Sequence, residues 1–140
     1  MFSTPDLKDK YQKKVFQGFE SMKSFGNRDS FFGQIKTVTC HDDNSKVKEI
    51  LGTNGKGKVL VINPNLITHA AMIGDEIAQK AIDNEWNGIF VAGYVRDVEL
   101  LKEMDIGILA LGSTTAKTNK NDRGFLGEDV IFGGVILSED

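Results

Sequence analysis

The hydrophobic and polar positions between Gly74 and Asp97 change their period part-way along the segment. Four apolar residues recur at helical spacing in its first half: Ala78, Ala81, Ile82 and Trp86. A continuous apolar run, Ile89–Ala92, follows them. A period near 3.6 followed by an unbroken β-rich run predicts a helix, a turn and a buried strand. We expect the helix to begin just after Gly74 and the strand to end just before Tyr94, so that both ends face one crevice.

The rest of the chain alternates between helical and strand patterns. Further helices are predicted from Ser3 or Thr4 to about Phe16, at Val47–Leu51, over part of Pro64–Ile73 and at Asp97–Met104. Strands are predicted at 31–40, 58–62, 106–111, 130–132 and 135–137, and loops at 18–28 and 112–127. Strands that alternate with helices, together with some antiparallel pairing, indicate one α/β domain with a mixed sheet.

Polar groups lie at both ends of the central helix–strand unit. The predicted helix start, Gly74–Ile77, offers backbone N–H groups and partial positive charge, which suit an anion. Asp75 lies in this turn, and the loop after the strand supplies Arg96 and Asp97. Because ligands of α/β domains bind at the carboxyl ends of strands, we expect a site for a small carboxylate-bearing molecule. Plainer roles remain open: Asp75 could complement the helix dipole, and Arg96–Asp97 could be a surface pair with a helix cap.

Composition argues against several other classes of protein. The net charge of −3 is unlike that of a domain that binds nucleic acid directly. No apolar run is long enough to span a membrane, and the N-terminus lacks the regions of a signal peptide, so we expect a cytoplasmic protein. The single cysteine, Cys40, is expected to be structural, and His41 and His69 lack metal-ligand spacing.

Three segments of the central unit, 74–78, 84–88 and 93–97, resemble the RraA-like family. That family groups regulators of ribonuclease activity with metal-dependent 4-hydroxy-4-methyl-2-oxoglutarate aldolases. Asp75, followed after twenty residues by Arg96 and Asp97, is similar to the pattern of its catalytic branch. Further matches at 32–35, 57–61, 105–112 and 127–135 extend the resemblance over nearly the whole chain, as a single domain at 1–140.

The resemblance implies a swivelling β/β/α-type domain that assembles as a homotrimer with active sites between subunits. Asp97 would bind a divalent metal such as Mg²⁺, and Asp75 would contact a water on it. Arg96 would hold a pyruvate-like 2-oxo acid together with the backbone N–H groups of Gly74, Asp75, Glu76 and Ile77. The implied function is 4-hydroxy-4-methyl-2-oxoglutarate aldolase, oxaloacetate decarboxylase or both, through a stabilised pyruvate enolate. The alternative is a non-catalytic regulator that binds and inhibits RNase E.

Two segments depart from the family pattern. Asn63-Pro64-Asn65-Leu66 stands where the family commonly has an acidic, glycine-rich loop. After Val135, the chain passes almost directly into Ile136–Asp140, where the family usually continues with further strands. We therefore expect a shortened C-terminal strand region that exposes apolar surface and weakens the trimer.

Overall fold

The structure is a computed structural model that describes residues 22–40, 43–64, 70–116, 124–132 and 135–139. Its helices and strands are, in chain order, β1 (Lys23–Ser24), β2 (Gln34–Cys40), α1 (Ser45–Leu51), β3 (Lys58–Asn63), β4 (Ala71–Ile73), α2 (Asp75–Asp83), β5 (Gly88–Val95), α3 (Val98–Leu101), β6 (Gly107–Ser113), β7 (Gly124–Leu126), β8 (Val130–Phe132) and β9 (Val135–Leu137). None of the helices in these ranges is long and apolar enough to cross a bilayer. The helix predicted between Ser3 and Phe16 lies outside the described residues.

One sheet of seven strands organises the described part of the chain, in the order β1-β6-β5-β3-β2-β7, with β4 beside the end of β5. The inner pairings β2–β3, β3–β5, β4–β5 and β5–β6 are parallel. The outer pairings β1–β6 and β2–β7 are antiparallel. This arrangement confirms the predicted α/β domain with a mixed sheet, since parallel neighbours require crossover connections of the kind that helices provide.

The helices cover one face of the sheet and the β8–β9 hairpin covers the other. Leu60 and Ile62 of β3 are fully buried in a cluster that also contains these helix residues: Val47, Leu51, Ala78, Ala81 and Leu101. Val61, between them in the sequence, packs on the opposite side with Phe90 and with Val130 and Leu137 of the hairpin. Because successive side chains of a strand point to opposite faces, β3 contributes to both halves of the core. The resulting layers, hairpin, sheet and helices, are the expected β/β/α arrangement.

Three short strands lie where the sequence predicts loops or part of a helix. The predicted loops 18–28 and 112–127 contain β1 and β7. The last three residues of Pro64–Ile73, over part of which a helix is predicted, form β4, and residues 65–69 lie outside the described residues. These strands have only two or three residues. They are defined by pairing with a neighbouring strand, and segments this short show no periodicity in the sequence. The helix predicted at Asp97–Met104 is also shorter, because backbone bonds from Glu103 to Leu100 and from Met104 to Leu101 tighten its end into turns.

An aromatic ring covers the amino ends of the two central strands β5 and β6. Their first residues, Gly88 and Gly107, are paired in register, and the ring of Phe31 lies directly on both. A Cβ atom would lie 2.1 Å from this ring at Gly88 and 2.0 Å from it at Gly107. No larger residue fits at either position unless the ring moves, so this end of the two strands is closed.

Trp86 closes the same end of the sheet where α2 turns into β5. Its side chain is only 4% exposed and its indole N–H donates to the carbonyl of Thr53 at 3.1 Å. The ring lies on Gly55, where a Cβ would be 2.1 Å from the indole Cγ. With both aromatic residues at the amino ends, the opposite ends of the parallel strands are left for a binding site.

Candidate active site

The end of β5 and the start of α2 meet, as the sequence predicts. The backbone N–H of Arg96 donates to the carbonyl of Ile73 at 3.0 Å, which holds the two chain segments together. The backbone N–H of Asp75 donates to Oδ2 of Asp97 at 3.2 Å. Nε of Arg96 lies 3.8 Å from the same carboxylate oxygen. Arg96, Asp97 and the N-terminus of α2 therefore form one group.

Asp97 has an unusual backbone conformation that explains how it serves two helices. Its φ of 58° and ψ of 41° place it in the left-handed region, which aspartate tolerates better than most residues. Its carbonyl accepts hydrogen bonds from the N–H groups of Leu100 and Leu101, both at 2.9 Å, and thereby begins α3. Its side chain makes no cap bond to α3 and is directed to α2 instead. The backbone of Asp97 thus has the helix-cap role considered for it, and its side chain lies at the candidate site.

The carboxylate of Asp97 supplies a hydrogen-bond acceptor that the N-cap residue of α2 lacks. Gly74 is the N-cap residue of this helix and has no side chain to accept a backbone N–H. The first helical bond runs from the Ala78 N–H to the Gly74 carbonyl at 3.0 Å, and Asp97 accepts the N–H of Asp75. One of the four N–H groups proposed for a substrate anion is therefore already bonded within the protein. The positive end of the helix dipole stabilises the Asp97 carboxylate.

The group is accessible to a small molecule but partly shielded from water. The side chains of Arg96 and Asp97 are 26% and 30% exposed. An open groove next to this group is lined by Asp75, Glu76, Gln79, Leu100 and Met104, and Asp75 is the residue that it shares with the group. Its α2 residues are polar, whereas Leu100 of α3 and Met104, which follows α3, are apolar. A charged ligand that contacted the partly shielded Arg96 would interact with it more strongly than it would in bulk water.

The carboxylates present suit a metal ion that keeps much of its water shell. No group of three or more His, Cys, Asp or Glu side chains that could hold a metal ion occurs within the described ranges. Asp97 and Asp75 are the two carboxylates of this group that could contribute to a metal site. Mg²⁺ commonly binds in this way and completes its coordination with water and substrate oxygens. The donor set fits Mg²⁺ better than it fits zinc, which prefers nitrogen and sulfur ligands.

Burial supports the structural role expected for Cys40. Cys40 is fully buried, and burial, together with the charge of Asp43, raises the pKa of its thiol to about 12. Asp43, also fully buried, accepts the N–H of Ser45 at 2.7 Å at the start of α1. His41 and His69 lie outside the described residues.

Asn44 supports the site in a way that the sequence pattern did not reveal. This buried side chain donates from Nδ2 to the carbonyl of Met72 in β4 at 3.1 Å. The next residue of β4, Ile73, is the one that bonds Arg96. Asn44 therefore ties the start of α1 to β4, the strand directly before Gly74.

Comparison with known proteins identifies the family. The family model described as "RraA-like: Aldolase/RraA" matches residues 4–140. The chain belongs to the RraA-like family. A protein of Vibrio cholerae, provisionally named 4-hydroxy-4-methyl-2-oxoglutarate aldolase, is 48% identical over 121 residues, which are 86% of this chain and 75% of that protein. A protein of Pseudomonas aeruginosa with the same provisional name is 45% identical over 134 residues, 96% of this chain and 83% of that protein.

Solved structures of this RraA-like fold carry different functional descriptions. The RNA-processing inhibitor RraA from Thermus thermophilis is 33% identical, with a TM-score of 0.91 over 99% of this chain and 84% of that chain. A Geobacillus kaustophilus structure described as an S-adenosylmethionine:2-dimethylmenaquinone methyltransferase is 32% identical, with a TM-score of 0.89 over 96% of this chain and 84% of that chain. Since one fold carries several descriptions, the function of this chain has to be argued from its site.

Proposed function

We propose that this RraA-like protein is a divalent-metal-dependent lyase that breaks a carbon–carbon bond in a 2-oxo acid. The reaction is the cleavage of 4-hydroxy-4-methyl-2-oxoglutarate, the decarboxylation of oxaloacetate, or both. The observation that supports it is the Arg96–Asp97 pair at the N-terminus of α2, beside Asp75. The provisional names of the Vibrio and Pseudomonas relatives agree with the aldolase part of the proposal.

Both reactions create the same negative charge. When the bond between C3 and C4 breaks, its electron pair forms the enolate of pyruvate, with the charge on the C2 oxygen. In the aldol cleavage the C4 hydroxyl proton passes to solvent and the other product is pyruvate. In the decarboxylation the other product is carbon dioxide. In both, the enolate takes up a proton from solvent at C3 and becomes pyruvate. An enzyme for either reaction must stabilise this oxyanion more strongly than it stabilises the substrate.

The residues of this chain fit that task. The Arg96 guanidinium presents a planar set of N–H donors that can hold a carboxylate or an enolate oxygen at two points. Its Nε atom already lies 3.8 Å from Asp97 and its side chain is partly shielded from solvent, so the charge is placed near the site before the reaction begins. Asp97 would hold the divalent cation, and Asp75 is the second carboxylate available to orient a water there. When bound, a cation such as Mg²⁺ acts as a Lewis acid toward the 2-oxo group.

We further propose that the protein works as a homotrimer with its sites between subunits. Exposed apolar residues in the described part of the chain support association: Phe32, Leu100, Phe125, Leu126, Ile131 and Ile136. Leu100 also lines the groove beside Asp75. A neighbouring subunit that covered this residue would complete the wall of the groove.

A second candidate function is inhibition of RNase E by direct contact. The observation that favours it is the likeness to the Thermus protein described as an RNA-processing inhibitor. Such an inhibitor does not require Arg96 and Asp97 to be held beside a helix N-terminus. The two functions therefore make different predictions for variants of Asp97.

The deciding experiment measures pyruvate release from each substrate by coupling to lactate dehydrogenase, with Mg²⁺ and with EDTA. Reactions without protein correct for the spontaneous decarboxylation of oxaloacetate. Asp97→Asn is the test variant, and Asp105→Asn is its matched control because Asp105 is exposed and pairs with Arg28 instead. We expect Mg²⁺-dependent release by the wild type and by Asp105→Asn only.

Other results would contradict metal dependence or the lyase activity itself. Release that persists in EDTA would contradict metal dependence, and no release from either substrate would refute the lyase proposal. Slowing of RNase E cleavage by the wild type and by Asp97→Asn equally, with no pyruvate formed, would establish the inhibitor instead.

A further inference from the structure

We propose that Gly74 is a positioning residue: the absence of a side chain there allows Arg96 and Asp97 to lie against the N-terminus of α2. This inference deepens the proposed lyase function and rests on it. The role is steric, and it is distinct from any contact of the Gly74 backbone with a substrate.

The distances around Gly74 carry the inference. A Cβ atom built on this residue would lie 2.6 Å from Oδ2 of Asp97 and 3.0 Å from both Cγ and Nε of Arg96. These are among the atoms that form the site, and Oδ2 is the oxygen that accepts the Asp75 N–H. A methyl group at position 74 would therefore displace the Asp97 carboxylate and the Arg96 side chain.

The backbone conformation of residue 74 does not require glycine. Gly74 has φ −139° and ψ −162°, an extended conformation that alanine also adopts. The three atoms nearest to such a methyl group belong to the side chains of Arg96 and Asp97, which can rotate away. The fold can therefore accommodate Gly74→Ala, whereas the arrangement of the site cannot.

Gly52→Ala is a matched control. A Cβ at Gly52 would lie 2.8 Å from Cε of Lys80, also part of a charged side chain, and the φ of Gly52 is −80°. Lys80 lies in α2, but its ammonium end is flexible and takes no part in the site. Gly52→Ala therefore introduces a comparable close contact without moving Arg96 or Asp97.

The test combines three measurements on the full chain. Hydrogen exchange at the Asp75 amide reports its bond to Asp97, with the Ala78 amide as a reference for intact helix α2. Binding of Mn²⁺ alone, measured by calorimetry, reports the Asp97 carboxylate. Pyruvate release reports the assembled site.

For Gly74→Ala we expect faster exchange at Asp75 with unchanged exchange at Ala78, and weaker Mn²⁺ binding. We also expect a loss of roughly 100-fold in kcat/KM, the scale of a displacement of about 1 Å in a catalytic group. Gly52→Ala should match the wild type in all three. Wild-type exchange, Mn²⁺ binding and turnover in Gly74→Ala would overturn the inference.

The role of Gly74 can also be tested if Gly74→Ala does not fold or if the wild type is inactive. If Gly74→Ala does not fold, it is repeated in an Arg96→Ala/Asp97→Gly background, in which the displaced side chains are absent. Recovery of folding there supports the inference, and failure to fold overturns it. If the wild type releases no pyruvate, the proposed function fails, but exchange at Asp75 still decides whether Gly74 positions Asp97.

Discussion

Replacement of Asp97 by asparagine removes one negative charge while it preserves nearly everything else at this position. Asparagine tolerates the left-handed backbone of residue 97, where φ is 58°. Its amide oxygen can still accept the Asp75 N–H, now 3.2 Å from the carboxylate. Hydrogen bonds to charged groups contribute about 1 kcal/mol more than neutral ones, so we expect unfolding free energy to fall by about 1 kcal/mol or less.

The variants Asp97→Gly and Asp97→Ala provide two further unfolding free energies with which Asp97→Asn can be compared. Asp97→Gly removes the acceptor for the Asp75 N–H but tolerates the positive φ, so the expected loss is about 1 kcal/mol, that of a missing N-cap acceptor. Asp97→Ala adds the cost of a left-handed backbone, about 1–2 kcal/mol, for a total of roughly 2–3 kcal/mol. The expected order of stability is therefore Asn, then Gly, then Ala, which urea unfolding can resolve.

Activity should follow a different order. All three variants lack the carboxylate that would hold the cation, and a neutral amide is a poor ligand for Mg²⁺. We expect kcat/KM for pyruvate release to fall by about 100-fold or more in each, the scale of removing one charge-stabilising group. An Mg²⁺ titration of each variant in the coupled assay measures this.

Two results would refute the reasoning. Unchanged Mg²⁺ dependence in Asp97→Asn would show that Asp97 does not hold the metal. Losses of activity that parallel the losses of stability, small for Asn and large for Ala, would show that Asp97 acts only through the fold.

Three further predictions concern other parts of the molecule. Arg96→Lys should lower kcat/KM by roughly 100-fold, because lysine keeps the charge but loses the planar two-point contact, and near-normal kinetics would remove Arg96 from the site. Cys40 should react with Ellman's reagent at pH 8 only after unfolding. Burial raises the pKa of the Cys40 thiol from 9.0 to about 12. The contribution of the buried, protonated thiol to the free energy of unfolding is therefore complete below pH 9 and is lost as the pH rises toward 12. Fast labelling of the native protein would contradict the prediction. Light scattering over a dilution series should show an oligomer that Ile131→Ser/Ile136→Ser weakens, since these side chains are 73% and 62% exposed; an active monomer at every concentration would refute this.

The central unit could be predicted because its pattern is local. Ala78 and Ala81 recur on the buried face of α2, and the apolar run at 89–92 lies within β5. The start of the helix and the end of the strand meet as predicted, and Arg96 and Asp97 lie beside Asp75 there. The strand extends to Val95, slightly beyond the predicted end, because β4 pairs with its last residues.

The features that were missed depend on contacts between distant segments. Ala71–Ile73 is a strand only because β5 lies beside it, and no periodicity in three residues could reveal that. The left-handed conformation of Asp97 and its bond to Asp75 likewise arise from packing across 22 residues of sequence. The small size of Gly74 could be read from the sequence, but which atoms occupy the space beside it could not.

Trp86 gives the protein an intrinsic fluorescent reporter. It is the only tryptophan in the sequence, and its indole is buried, hydrogen-bonded to Thr53 and packed on Gly55. Helix α2 separates it from the site, and nine helical residues span about 13 Å. Its emission should therefore follow the unfolding of the domain and stay constant when Arg96 or Asp97 is replaced. Variants of Arg96 and Asp97 can thus be compared by one unlabelled optical signal that these substitutions do not perturb.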